Sequence, residues 1–299
     1  MTDAGQRAGP DEGGAKGEGA KGEGASGKRV NDKGANDKGA NDKGANDEAA
    51  ARAPVVRRID SGAPLRWLRR GWDDFRATGY RGAFYGAVFA AMGLLIELIY
   101  ATRWQLTMGL TAGFFLVGPF VCTGIYELSR QRARGEAADL AASMTCWRRN
   151  LGGVAFFAAM LTFAMIVWAR VSVVLFALFS SAEFPTVQSM VAQILSLSNI
   201  EFLLVWTGVG FVFASLVFSI SVVSIPLLLD RGGDTMMAIF SSARALYVNP
   251  GALYLWAVLI VVLIGASLAL WFVPLVLTAP LIGHATWHAY RDLLEGDAG

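Results

Sequence analysis

The sequence predicts an all-α, polytopic transmembrane helix bundle with a disordered N-terminal tail, and three observations carry that reading. First, 54% of the 299 residues are hydrophobic and only 17% are charged. Second, the charge is unevenly placed: residues 1–52 hold 19 of the 50 acidic and basic side chains. The remaining 247 residues therefore carry about one charge in eight, well below the quarter typical of soluble domains. Third, uncharged or nearly uncharged runs of about 20 residues, enough to cross a hydrocarbon core of about 30 Å as helix, recur along the chain. A water-soluble globule, a collagen-like chain and a disulfide scaffold are all excluded by this composition. The net charge of +2 gives no reason to expect nucleic acid as a partner.

The tail is read first. From Gly14 the sequence Gly-Ala-Lys-Gly-Glu-Gly occurs twice, and Asn-Asp-Lys-Gly-Ala then recurs from Asn31, Asn36 and Asn41. A five-residue period fits neither helix nor strand, and nothing in residues 1–52 is large enough to bury. Such a segment does not offset its ordering entropy, so it is expected to be disordered. It lacks the apolar stretch of a secretory signal. Residues 53–81 follow as a basic, amphipathic juxtamembrane segment, residues 82–292 as the transmembrane domain, and residues 293–299 as a polar end.

Within the transmembrane domain the runs are Gly82–Ala101, Gln105–Tyr126, Leu151–Phe179 and Phe202–Leu229. A fifth stretch, residues 251–289, has no polar loop and would extend roughly 58 Å as one helix at 1.5 Å per residue. It is either one long kinked span or two short ones, with turn signals at Gly265-Ala266-Ser267 and at Pro274. An internal repeat favours two. Three times a basic lead-in (from Trp72, Cys146 and Arg244) precedes apolar runs that close on a proline and then an acid: Pro119 to Glu127, Pro226 to Asp230, Pro280 to Asp292. Three parallel hairpins give six spans; a single kinked helix gives five.

Orientation follows from arginine. Seven lie in residues 57–81, five in 127–150 and two in 230–250, with Arg291 near the end. By the positive-inside rule these loops and the N-terminus are cytoplasmic. Residues Pro185–Ile200, without a basic side chain, are expected to form an interfacial helix on the other side. Trp67, Trp72, Trp104, Trp147 and Trp287 sit near run ends, as an aromatic belt requires.

Candidate chemistry is sparse. Glu97 and Arg170 are the ionisable groups placed deepest, about 23 Å and 29 Å from the inner ends of their runs, and are expected to pair across the first and third spans. An intramembrane charge marks an ion or proton path by default; the alternative is a structural pair or snorkelling to the interface. His284 and His288, four residues apart, share a helix face. Two such imidazoles can hold a metal, and one can ligate haem. No further histidine exists to complete a metal site, Cys122 is the one nearby thiol candidate, and hydrogen bonding at the interface is the competing role. Gly82, Gly86 and Ala90, and likewise Gly109 and Gly113, form small-residue faces suited to close helix packing. Pro119 and Pro226 should kink their helices. Ser215, Ser219, Ser221 and Ser224 have no His or Lys at a depth that would activate them. Cys122 and Cys146 are expected to be reduced thiols.

Three stretches carry a resemblance: residues 117–130 with Arg134-Gly135-Glu136, residues 226–232, and Gly283-His284-Ala285-Thr286-Trp287-His288-Ala289-Tyr290-Arg291. Together they resemble a family of predicted bacterial integral membrane proteins of unknown function, some of whose members carry a cytochrome c oxidase subunit label. The resemblance implies the bacterial cytoplasmic membrane and supplies no established activity. A haem–copper catalytic subunit needs about six histidine ligands, and this chain has two. The expectation is a non-enzymatic structural or accessory component of a membrane complex, with no cofactor predicted. A small-solute or ion transporter is the first alternative, and a haem- or metal-binding redox accessory through His284 or His288 the second. The partners expected are the lipid bilayer and a membrane-protein complex.

Overall fold

The computed structural model describes residues 54–103, 106–179 and 200–294. The expected disordered tail, the interfacial helix short of Ile200, Trp104 and residues 295–299 lie outside them. Ten α-helices make up the described chain, and among the described residues the one β-type pairing is an isolated bridge from Val56 to Leu294.

Helix α1 (Ala63–Thr78) carries the basic, amphipathic sequence and starts with Pro64 in its first turn, where a missing N–H costs nothing. Gly79, at φ +55°, separates it from α2 (Tyr80–Arg103). Helix α3 (Thr107–Ala133) runs seven residues past the apolar run, because its last turns are polar but pack inside the protein. A short α4 (Leu140–Thr145) is capped by Asp139, whose carboxylate accepts the Ala141 and Ala142 amides. After a 3₁₀ turn (Cys146–Asn150) comes α5 (Leu151–Phe179), with the bounds of the apolar run. The fourth run is broken: α6 (Ile200–Ser221) stops, and α7 (Ser224–Arg231) restarts with Pro226 in its first turn. Helix α8 (Thr235–Val248) leads to α9 (Pro250–Ala269).

The long final stretch turns back. Residues 270–274 form a turn, and α10 (Leu275–Leu293) returns along α2 and α1. The break falls at Pro274, whereas Gly265-Ala266-Ser267 stays helical inside α9. Pro280 lies within α10 and cannot donate to the Val276 carbonyl. That carbonyl is seated against Gly86 of α2, where any Cβ would overlap it. Lower down, a Cβ on Gly71 of α1 would meet the Ala285 amide nitrogen at 2.7 Å. The Gly82–Gly86 face is thus a packing seam, as expected. The Gly109–Gly113 face is not: nothing lies within 4 Å of a Cβ at either position.

Among the described residues, five segments are long and apolar enough to cross a membrane: Tyr80–Thr102, Gly109–Ala133, Leu140–Phe179, Ile200–Arg231 and Pro250–Ala269. No more than 44% of the 18-residue apolar window in any of them is buried in the protein, which leaves most of each apolar face on the outside. Burial is lopsided. Trp67, Phe157, Leu253, Trp256, Trp287 and Tyr290 are fully buried at the arginine-rich end. At the other end Leu98, Leu178, Leu204, Val261 and Trp271 are exposed. The core therefore sits where α1, α7, α8 and the second half of α10 gather around the ends of the long helices.

Candidate functional site

At that packed end polar residues of the first and third quoted motifs meet Asp74 and Arg132, which lie outside the motifs. Helix α1 supplies Asp74, α3 supplies Ser129 and Arg132, and α10 supplies His284 and His288. Asp74 and Thr78 are one turn apart, as are His284 and His288, so each pair shares the face turned toward the other helix. Ser129 Oγ donates to Asp74 Oδ2 at 2.8 Å and lies 2.7 Å from His284 Nδ1. A hydroxyl has one proton, already given to the carboxylate, so His284 must donate from Nδ1. That fixes its tautomer and leaves Nε2 unprotonated, 3.4 Å from Thr78 Oγ1. His288 Nε2 contacts the same Asp74 oxygen at 3.0 Å, and Arg132 Nε approaches Oδ1 at 3.2 Å. Burial by itself pushes the Asp74 carboxyl up. The hydrogen bonds and nearby charge of His288, with the Ser129 bond, outweigh it and hold the group below its usual carboxylate range.

These residues border a cavity of about 280 Å³, with Arg70 and Asp73 on its rim. Serine, histidine and aspartate are all present, yet the order is wrong for acyl transfer. In a hydrolytic triad the imidazole stands between the carboxylate and the hydroxyl and takes the hydroxyl proton. Here the hydroxyl stands in the middle, and the imidazole is its donor.

A second knot lies alongside. Glu127, 2% exposed, accepts two arginines: Arg130 through Nε and Nη2 at 2.7 and 3.0 Å, and Arg149 through Nη1 and Nη2 at 3.0 and 3.1 Å. Paired forks of this kind are the strong form of ion pair. Gln131 accepts the Asp139 amide at 2.8 Å, tying the α3–α4 connection to the same place. Tyr290 donates to Asp230 at 2.7 Å, joining α10 to α7. Asp292 accepts the Trp67 indole at 2.8 Å and pairs with Arg70. The acids that close the three repeats, Glu127, Asp230 and Asp292, are therefore all anchored at one end.

Of the residues singled out from sequence, His284 and His288 belong to this cluster. His284 is fully buried, and a Cβ on Gly82 would lie 3.3 Å from its Nε2. A haem plane has no space to approach that nitrogen. Among the described residues no group of three His, Cys, Asp or Glu side chains converges on a metal position. Glu97 and Arg170 are not brought together. Both are exposed on their helices, and no ion pair joins them, because α2 and α5 each pack on α3. The membrane serines are used locally: Ser221 donates to the Val217 carbonyl and Ser224 to that of Ile220. Asp74 and Ser129 were not expected as site residues, and Glu127 was named only as the acid closing the first repeat. The only local signals were the spacing of Asp74 to Thr78 and of Glu127 to Arg130.

Residues 106–230 match the family described as "Predicted integral membrane protein (DUF2189)", a description that names no oxidase. No curated protein and no solved structure matches the chain.

Proposed function

We propose that this multi-pass protein, of which residues 106–230 match a family described as predicted integral membrane proteins, works without chemistry of its own, as a structural or accessory component of a larger membrane complex. One observation carries this reading: polar side chains of the three motifs are spent on one another and on Asp74 and Arg149. Ser129, Asp74 and His284 satisfy each other, as do Glu127, Arg130 and Arg149, and as do Asp230 and Tyr290. Groups consumed in this way fix helix positions, and the unprotonated His284 Nε2 that remains is fully buried. In the same proposal α10 is a sixth, more polar span that closes the third hairpin. The arginine-rich end then faces the cytoplasm of a bacterial cell.

Purification in mild detergent after light cross-linking tests the accessory role. A membrane complex should come with the protein in constant ratio, and that complex should lose abundance when the gene for this chain is deleted. A protein that purifies alone, and whose deletion leaves every membrane complex unchanged, ends the proposal. Topology is read separately from reporter fusions at the two ends of the chain, which should report the same side.

A further inference from the structure

The geometry points to a binding site for a bulky, lipophilic organic cation at the far end of the bundle, with Glu97 as its counter-charge. This site is separate from the packed end and independent of membership in a complex.

Glu97 lies in the membrane-crossing segment Tyr80–Thr102, about 8 Å from its end at 1.5 Å per residue. No ion pair or hydrogen bond within the described residues reaches its carboxylate. A bare carboxylate at that depth is costly, and a cation beside it removes the cost. Its surroundings select the kind of cation. Glu97 borders a cavity of about 230 Å³ with Phe89, Phe114, Phe272 and Thr111. Phe89 and Phe114 pack edge to face, their centroids 6.0 Å apart. Aromatic faces attract cations that have shed water, whereas a single hydroxyl is too little to replace the hydration of a metal ion. A second, apolar cavity of about 450 Å³ shares Phe89, Phe114, Leu268 and Leu275 with the first and continues toward Cys122 and Thr286. It offers room for an apolar body behind the charge, in the size range of small-molecule sites.

The backbone is bent to build this wall. Trp271 and Phe272 have φ of +59° and +63°. Two consecutive bulky residues in the left-handed region are a strained arrangement. The strained turn delivers the Phe272 ring onto Gly93, where any Cβ would overlap it. Gly93 and Glu97 are one helical turn apart on the same face. Strain, ring and carboxylate therefore converge on one position.

The test uses the full-length protein in detergent with tetraphenylphosphonium as probe, followed by equilibrium dialysis. Saturable binding is expected, weakened at least tenfold by Glu97→Gln. The anion tetraphenylborate, of similar shape, should show no saturable binding. On the unmodified protein, tetraphenylphosphonium should also protect Glu97 from a hydrophobic carbodiimide, read by mass spectrometry. This second readout holds if the Glu97→Gln chain fails to fold. The site is overturned by the absence of saturable tetraphenylphosphonium binding, by equal affinity in Glu97→Gln, or by carbodiimide labelling that the probe leaves unchanged.

Discussion

Ser129 Oγ lies 2.7 Å from His284 Nδ1 and gives its own proton to Asp74, so one hydroxyl joins α3 to both α10 and α1. Ser129→Ala removes an acceptor from one buried group and a donor from the other. A loss of about 1–3 kcal/mol is expected for each group left unsatisfied. Thermal unfolding in detergent should show a clear drop in midpoint. An unchanged midpoint would mean that water replaces the hydroxyl.

The Asp74 carboxyl is held below its usual range in the folded protein. A group shifted this way stabilises the fold fully above its unfolded pKa, near 3.8, and that contribution fades as pH falls through the folded value. The gap in unfolding midpoint between the natural protein and Asp74→Asn should therefore be constant from neutrality to about pH 5 and close in stronger acid. A gap that widens on acidification contradicts this sign.

Glu127 neutralises two guanidinium groups, one of them only 11% exposed. Glu127→Gln keeps the shape and removes the charge, leaving Arg130 buried without a counter-ion. Breaking a buried pair from one side costs roughly 3–5 kcal/mol, and the lower figure applies because Arg149 is half in solvent. Proteolysis of the α3–α4 connection, followed over time, should become faster, while Arg149→Ala alone should have a smaller effect.

Gly86 and Gly109 make a paired test of the helix seams. Gly86→Ala forces a methyl into the Val276 carbonyl and should cost about 1–3 kcal/mol through displacement of α10. Gly109→Ala meets nothing, and it should be neutral or slightly stabilising, since alanine favours helix by about 1 kcal/mol. Equal effects at the two positions, compared by heat stability in the same detergent, would refute the seam.

The spans were legible because apolar run length is a local property: Leu151–Phe179 matches α5 residue for residue. The ends were less so. Helix α3 continues to Ala133 because Ser129 and Gln131 find partners in other helices, and a hydropathy window registers only their polarity. Pro274 marked the final turn correctly, whereas glycine and serine at 265–267 stayed in helix, where neighbouring turns and the Leu263 carbonyl satisfy Ser267. The buried network was almost invisible. Asp74 and His288 are 214 residues apart, and Ser129 and His284 are 155. No spacing rule reaches so far, and the i, i+4 spacing of the two histidines does not report that they hydrogen-bond Ser129 and Asp74. Glu97 and Arg170 matched in depth, but depth does not report which helix faces which.

The lopsided core also sets an order of events. Trp287, Tyr290 and His284 all come from α10, which follows the other described helices in chain order. Until it arrives, α1 has no cover for Trp67, and Asp74 and Ser129 lack their histidines. The earlier helices must therefore wait in the bilayer as a loose group, and the bundle closes only once α10 has been made. A nascent chain stalled before residue 275 should be the form most open to membrane quality-control proteases.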